Sequence, residues 1–328
     1  MSLITPVFNG EAHLHRCVES IITAANGYTI ELILIDDGST DNSGAIGREY
    51  AERLEWVHYV HQENKGPSAA RNVGLELARG DYIGFVDCDD CIAPTYVSEL
   101  LLACRDTPDI VVYGYERKLL NEQARIFSPK PVRHEAGGHE LLANVNGDHE
   151  LFWFPWTKIF RSSLLQHIRF DENMKLGEDT IFNLQAVSKA QYIVRIPDVL
   201  YSYNETQGSL SSPTYKPGLL ENMEHHFKGR LLVHEHSNEG LNNSVRTDIT
   251  KYYLSHIVPW LLSNAMRLDK STQLDELAKI RNSQLVKTCF NWKLKIKVSR
   301  GQTAILLLLR FRMLRLLRFL LVQSRSMS

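Results

Sequence analysis

The chain has 328 residues, a hydrophobic fraction of 44%, and 37 basic against 38 acidic side chains, for a formal net charge of -1. This length holds about two domains at roughly 150 residues each, and the plentiful apolar residues with ordinary Gly and Pro exclude a disordered or collagen-like chain. The charge is segregated: no acidic residue follows Glu276, nine basic residues lie beyond residue 288, and residues 1–288 carry 28 basic against 38 acidic side chains, so a body near -10 precedes a tail of +9.

The first third alternates strand and helix patterns. Residues 3–7 form a short apolar run that ends at Asn9-Gly10, where Asn9 is predicted to cap a helix with Leu14, Cys17, Val18, Ile21 and Ile22 at helical spacing. Residues 30–35 read as a buried strand that stops at Asp36-Asp37-Gly38, and residues 56–60 read as a third strand. Pro67 opens a helix with Ala70, Val73, Gly74 and Leu77 on one face and Gly80 just past its end. Residues 82–86 are a fourth strand ending at Asp87-Cys88-Asp89-Asp90, and Pro94 starts a helix running to about Cys104. This alternation predicts an α/β domain with a mostly parallel sheet. Beyond it come a strand at 110–113, an aromatic run at 152–156 followed by Lys158, a helix opening at Glu178-Asp179, and amphipathic helices from about Tyr215 to Lys287.

Residues 5–9, 36–41 and 87–90 all fall at the C-terminal ends of strands, the edge where open α/β sheets bind ligands. A dinucleotide fold would need G-x-G-x-x-G after the first strand, but that turn reads Pro6-Val7-Phe8-Asn9-Gly10-Glu11, and no Gly-Lys-Ser/Thr phosphate loop is present. A nucleotide, if bound, must therefore be held by side chains and a metal. Asp87 and Asp89, at i and i+2, are suited to share a hard cation or to divide cation and ribose contacts. Five cysteines (Cys17, Cys88, Cys91, Cys104, Cys289) and the lack of an N-terminal signal pattern point to a reducing, cytosolic setting. The Cys88-x-x-Cys91 pair has no second pair to complete a zinc site and reads as buried or incidental thiols. His225-His226 and His234-x-His236 read as surface histidines.

Several segments together resemble an inverting glycosyltransferase of family 2 with the GT-A (Rossmann-like, nucleotide-diphospho-sugar transferase) fold, of the bacterial surface-polysaccharide type. They are ITPVFN (4–9), LIDDGSTDNS (34–43), NKGPSAARNVGL (64–75), GDYIGFVDCDD (80–90), FPWTKIFRSSLL (154–165), FDENMKLGEDTIF (170–182) and LYSYNETQGSLS (200–211). The resemblance implies a GT-A domain over 1–215, with a nucleotide-sugar half (1–110) and an acceptor half (111–215), followed by a helical extension (216–288) and a basic tail (289–328). It implies that Thr5, Pro6 and the surroundings of Asn9 line the nucleotide pocket, that Asp36 accepts a hydrogen bond from a uracil ring, and that Asp37 and Asp41 shape the turn. Lys65 and Arg71 would face the base or diphosphate. Asp87 would meet ribose or metal, and Asp89 would coordinate Mn²⁺ or Mg²⁺. Asp179 would be the base, with Glu178 as the alternative base or as a capping or orienting acid. Trp156 and Lys158 resemble a W-x-K element near the sugar and acceptor.

This set meets the demands of the chemistry. In an inverting displacement the acceptor hydroxyl loses a proton as it attacks, so one carboxylate stands on the acceptor side. The oxocarbenium-like transition state expels a nucleoside diphosphate whose charge a divalent cation stabilises, so no leaving-group acid is needed. The tail adds a location. Residues 304–322 hold 15 apolar residues and four arginines; four central arginines cost about 10–14 kcal/mol in a bilayer core against roughly 5–9 returned by the apolar residues, which excludes a span. On one helix, Ile305, Leu306, Leu309, Met313, Leu316, Leu317 and Leu320 form an apolar arc opposite the arginines, the pattern of an interfacial helix on anionic lipid, with Lys293, Lys295 and Lys297 adding to the basic surface; packing on the body is the alternative. Nucleic-acid binding would leave the aliphatic face unburied. The expectation is a cytoplasmic enzyme, peripheral on the inner face of the bacterial plasma membrane, that moves a sugar from a nucleotide-sugar, expected to be a UDP-sugar, to a glycan or lipid-linked oligosaccharide in capsule or O-antigen synthesis. A non-catalytic nucleotide-sugar-binding scaffold is the rival from another class. A nucleotidyltransferase would need a glycine- and basic-rich triphosphate loop that is missing.

Overall fold

The computed structural model describes residues 1–118, 123–136, 141–148, 152–205, 214–235, 240–292 and 296–326. The chain forms two compact units, one of residues 1–142 and 148–209 and the other of residues 143–147 and 210–328. Lys293, Lys295, His236 and the end of the 200–211 segment lie outside the described residues.

In the first unit the strands are β1 (Ser2–Val7), β2 (Glu31–Asp37), β3 (Val57–Gln62), β4 (Tyr82–Phe85), β5 (Cys91–Ile92), β6 (Ile110–Lys118), β7 (Arg125–Phe127), β8 (Val132–Ala136), β9 (Lys158–Arg161) and β10 (Tyr192–Asn204). Among the described residues they form one sheet in the order β3-β2-β1-β4-β9-β6-β10-β5, with β7 beside β6 and β8 beside β10. The first four are parallel, as expected, but β9 runs antiparallel to both β4 and β6, so the sheet is mixed rather than mostly parallel. The reason is the direction of entry. β9 begins where β4 ends, which brings the preceding Pro155–Thr157 turn to the ligand-binding edge.

The register sets the level of that edge. Val7 pairs with Asp36, and Asp36 with His61, so the last residues of β1, β2 and β3 lie side by side. The strand order reverses at β1, and the crevice beside such a switch is where an open sheet takes its ligand. Around the sheet pack α1 (Glu11–Ala25), α2 (Ser43–Arg53), α3 (Pro67–Leu77), α4 (Tyr96–Ala103) and α5 (Glu178–Lys189). Helix α3 lies close on β1 because Gly74 lacks a side chain; a Cβ there would sit 2.3 Å from Ile4 Cγ2. Two expected helix starts shift. Gly10, not Asn9, caps α1, because Asn9 adopts a left-handed conformation (φ 48°) and spends its side chain on the Thr40 N–H, 2.8 Å away. Helix α4 begins at Tyr96 rather than Pro94.

The second unit is helical: α6 (Leu219–Glu235), α7 (Asn243–Tyr252), a π-helical turn (Tyr253–Ile257), α8 (Val258–Ala265), α9 (Gln273–Asn282), α10 (Gln284–Asn291), α11 (Arg300–Arg310) and α12 (Leu314–Ser326). His226 and His234, expected at the surface, are buried here around an Arg230–Asp248 ion pair of 2.5 Å. Burial, with the Arg230 charge next, pushes both imidazoles down to about 3. The expected single helix over 304–322 is two helices. The chain leaves α11 through a Schellman motif, with Met313 N–H bonded to Leu308 O at 2.9 Å, Arg312 N–H to Leu309 O at 3.3 Å, and Arg312 left-handed at φ 60°. The expected apolar arc divides at this break. Leu306, Leu309 and Leu317 are buried, whereas Met313, Leu316 and Leu320 are exposed beside Leu307, Phe311, Phe319 and Val322. Among the described residues no helix is long and apolar enough to cross a membrane.

Candidate active site

The ends of β2 and β4 and the start of α5 supply the acidic residues. On β2, Asp36 is 2% exposed and accepts hydrogen bonds from Ser39 N–H (2.9 Å), Tyr59 Oη (2.7 Å) and His61 Nδ1 (3.0 Å). Burial alone would raise its carboxyl, but the bonds from Ser39, Tyr59 and His61 hold it below the usual range. Asp37 fastens the loop before α3, accepting from Gln62 Nε2, Lys65 N–H and Gly66 N–H at 2.7, 2.9 and 2.8 Å. Asp41 does the same for the start of α1, receiving Glu11 N–H at 3.0 Å and Ser43 N–H at 3.0 Å. The Lys65 side chain is exposed, Pro6 half-buried, Asn9 exposed and Thr5 fully buried.

The acids meet at Arg71. Its guanidinium is 7% exposed and lies 2.9 Å from Asp87 Oδ1, 3.2 Å from Asp179 Oδ1 and 3.9 Å from Glu178 Oε1, with the Phe170 ring 5.3 Å beneath it. Arg71 was expected at the base or diphosphate; here it joins the β4 end to the α5 start. Two devices bring these groups together. Gly74, one turn along α3, seats the helix on β1. Gly177 takes a left-handed φ of 89° at the head of α5, a turn that a side chain would strain, and α5 is docked through Phe182, stacked on Phe170 at 3.9 Å and edge-on to Phe85 at 5.7 Å. Asp179 keeps 24% of its side chain exposed, enough to meet a substrate. Burial raises the Asp179 carboxyl well above the carboxylate range, against the lowering pull of Arg71, with Glu178 and Asp87 pushing further upward. Glu178 is raised for the same first reason.

Trp156 and Lys158 reach this edge and are 4% and 0% exposed. Trp156 is the middle of an aromatic stack, 4.5 Å from Tyr201 and 4.7 Å from Phe154. The Lys158 ammonium donates to Thr157 Oγ1 at 2.8 Å and to the Phe154 carbonyl, and its charge lowers Asp179. Sequence reasoning missed the residues that hold these acids. Tyr201 Oη donates to Asp90 Oδ2 at 2.7 Å and accepts the Asp87 N–H at 3.1 Å. Asn72 ties α3 to Phe170 through both its amide atoms, at 2.8 and 2.9 Å. Both lie inside the quoted segments, where only the charged residues drew attention. Tyr59 and His61 lie in a strand with no motif.

Asp87 and Asp89 are half-buried oxygen donors two residues apart. Among the described residues no cluster of three His, Cys, Asp or Glu is arranged to hold a metal alone. A pair of carboxylates fits a hard cation that keeps water and takes further oxygens from a substrate's phosphates, as Mg²⁺ and Mn²⁺ do, and does not fit a thiolate-bound metal. Cys88 belongs to no such set, since burial pushes its thiol up to about 12.

Comparison with known proteins gives a consistent picture. The model of the family described as "Glycosyl transferase family 2" matches residues 2–169. The Bacillus subtilis protein named uncharacterized glycosyltransferase EpsJ is 30% identical over 341 residues, spanning 100% of this chain and 97% of its own length. The B. subtilis minor teichoic acid biosynthesis protein GgaB is 30% identical over 220 residues, 66% of this chain and 24% of that protein. The crystal structure of S. aureus TarS 1–349 in complex with UDP-GlcNAc superposes with a TM-score of 0.74 at 19% identity, over 100% of this chain and 92% of that one, a likeness of fold.

Proposed function

From the premise that the chain belongs to glycosyl transferase family 2 and is a glycosyltransferase, we propose that it is an inverting enzyme that carries a sugar from a UDP-sugar to a lipid-linked glycan during assembly of a surface polysaccharide. The observation that carries this reading is Arg71, whose guanidinium is shared by Asp87 just past β4 and Asp179 on α5. Donor-side and acceptor-side acids are thereby one guanidinium apart, as a single displacement requires.

In this reading residues 1–110 hold the nucleotide and 111–215 the acceptor. Asp179 takes the proton of the attacking acceptor hydroxyl; its raised carboxyl is a stronger base than an ordinary carboxylate. The hydroxyl oxygen attacks the anomeric carbon as the bond to the diphosphate oxygen breaks, and the electron pair leaves with UDP. Glu178, one residue earlier, orients the acceptor or Arg71. Asp87 and Asp89 would hold a Mn²⁺ or Mg²⁺ ion, which supplies charge neutralisation to the departing diphosphate. Asp36 shapes the base pocket and accepts a uracil N–H. Support for a UDP-sugar comes from the UDP-GlcNAc complex of TarS, and support for a cell-surface glycan from the name of GgaB. The acid-free tail, with exposed arginines and apolar side chains, supports work at an anionic membrane.

The test is a panel of UDP-sugars incubated with the full chain, Mn²⁺ or Mg²⁺ and a polyprenyl-diphosphate-linked glycan, scored by UDP release and product anomer. One donor should give an inverted linkage, abolished by a chelator and by Asp179→Asn. A retained anomeric configuration, or equal activity in the variant, sinks the mechanism.

A further inference from the structure

The helical unit contains a groove that the transfer chemistry does not use. It encloses about 460 Å³ and is walled by Leu254 of the π-helical turn, Cys289 and Phe290 of α10, Ile296 and Val298 after it, and Leu306 and Leu307 of α11. Among the described residues no carboxylate lines it, and Arg310 stands at its rim with the guanidinium 5.9 Å over the Phe290 ring. Two features make it a built feature rather than a gap between loose helices. The π-helical turn (Tyr253–Ile257) offsets α7 from α8, a local irregularity common at functional sites. Gln302 then ties α11 to that turn, its Nε2 donating to Ser255 O at 3.0 Å, while a Ser299–Gln302 capping box fixes the start of the helix.

We propose that this groove holds the hydrocarbon chain of an isoprenoid lipid phosphate, the carrier end of the acceptor, with Arg310 on its phosphate. Three observations choose this occupant. Apart from Thr250, Thr303 and Arg310 the lining is apolar, so most of it gains from burying hydrocarbon. The charge at the rim is cationic, and a guanidinium binds phosphate oxygens in a two-pronged fashion. The groove volume lies at the lower end of the range for sites that enclose small molecules, which suits one chain rather than the two of a phospholipid. Leu307 and Phe311, 48% and 67% exposed, continue the apolar wall outward, so a chain emerging from a bilayer meets no polar barrier on entry.

The inference rests on the lipid-linked acceptor proposed above, and its test separates the two. The full chain is titrated with farnesyl diphosphate, a short soluble isoprenoid diphosphate, and photolabelled with a diazirine analogue of it. Saturable binding with label confined to 250–254 and 289–310 is expected. Leu307→Glu and Arg310→Gln, both at exposed positions, should each weaken binding tenfold or more with unchanged circular dichroism. Neither should change the rate at which UDP is released to water from the donor. Binding that is unsaturable, or as tight in both variants as in the parent chain, overturns the groove assignment, even if lipid-linked glycans prove to be acceptors. Preferential labelling of the groove by a diacyl phosphatidylglycerol probe overturns the chosen occupant. Full transfer to free glycan together with saturable, groove-dependent farnesyl diphosphate binding overturns the acceptor reading and keeps the site.

Discussion

One guanidinium serves three carboxylates at the sheet edge, and this ratio governs the chemistry of Asp179. Arg71 cannot fully neutralise Asp87, Glu178 and Asp179 together, so burial and mutual repulsion hold Asp179 protonated further up the pH scale than a surface carboxylate. A base must be unprotonated to act, so activity rises with pH through that raised value. The acid limb of kcat/KM should therefore lie well above pH 4. Arg71→Gln removes an opposite charge that favours the ionised form, so the limb should move upward by about 1–3 pH units. A limb that stays near pH 4, or moves down in the variant, removes Asp179 from the role of base. Asp179→Asn should lower kcat by about 10²–10⁴ while leaving UDP affinity within a few-fold, measured by UDP release and by calorimetry.

At the level of elements, the approach of α3 to β1 is the dimension on which the site depends. Gly74→Ala places a methyl against a fully buried, β-branched Ile4, so overpacking of about 1–3 kcal/mol outweighs the ~1 kcal/mol that alanine adds to a helix. Urea unfolding should show a net loss of up to about 2 kcal/mol, and activity should fall with it as Arg71 is displaced. A stabilised, fully active variant would mean that Arg71 is not positioned by this contact. The helix break at Arg312 makes the opposite prediction. A non-glycine residue in the left-handed region is strained, so Arg312→Gly should stabilise the helical unit by about 1 kcal/mol, read as a raised midpoint in thermal unfolding. Much of the first unit was legible because its strands end in acids and its helices open on Pro67 or Gly177, signals that are local in sequence. The mixed sheet was not, since the direction of β9 depends on pairing with β4 and β6, residues up to about 78 positions away. Nor was the burial of Trp156, Lys158 and His226, because a motif records residue type and spacing but not what packs over it. The tail misled for a related reason: helical periodicity continues through 304–322, and only the backbone at Arg312 shows that the arc is cut.

For the whole molecule, charge segregation makes a prediction about location. Each basic residue near an anionic surface contributes about 1 kcal/mol, so Arg312→Gln with Arg315→Gln, both exposed, should weaken binding to phosphatidylglycerol vesicles by about thirtyfold at low salt. Flotation of the intact protein at two ionic strengths measures this. Unchanged binding, or none in the parent chain, removes the membrane from the account. The position of β10 carries a different consequence, for synthesis. Its partners β5, β6 and β8 all precede it by at least 50 residues, and its Tyr201 props the acidic turn at Asp87–Asp90. The ribosome makes about 5–20 residues per second, so the edge of β6 waits several seconds, unpaired on that side, for residues 192–204. A nascent chain stalled before residue 192 can pair β1 to β4 but lacks the Tyr201 that props the acidic turn, which makes translation speed across 119–204 a determinant of how much of this enzyme matures and how much aggregates.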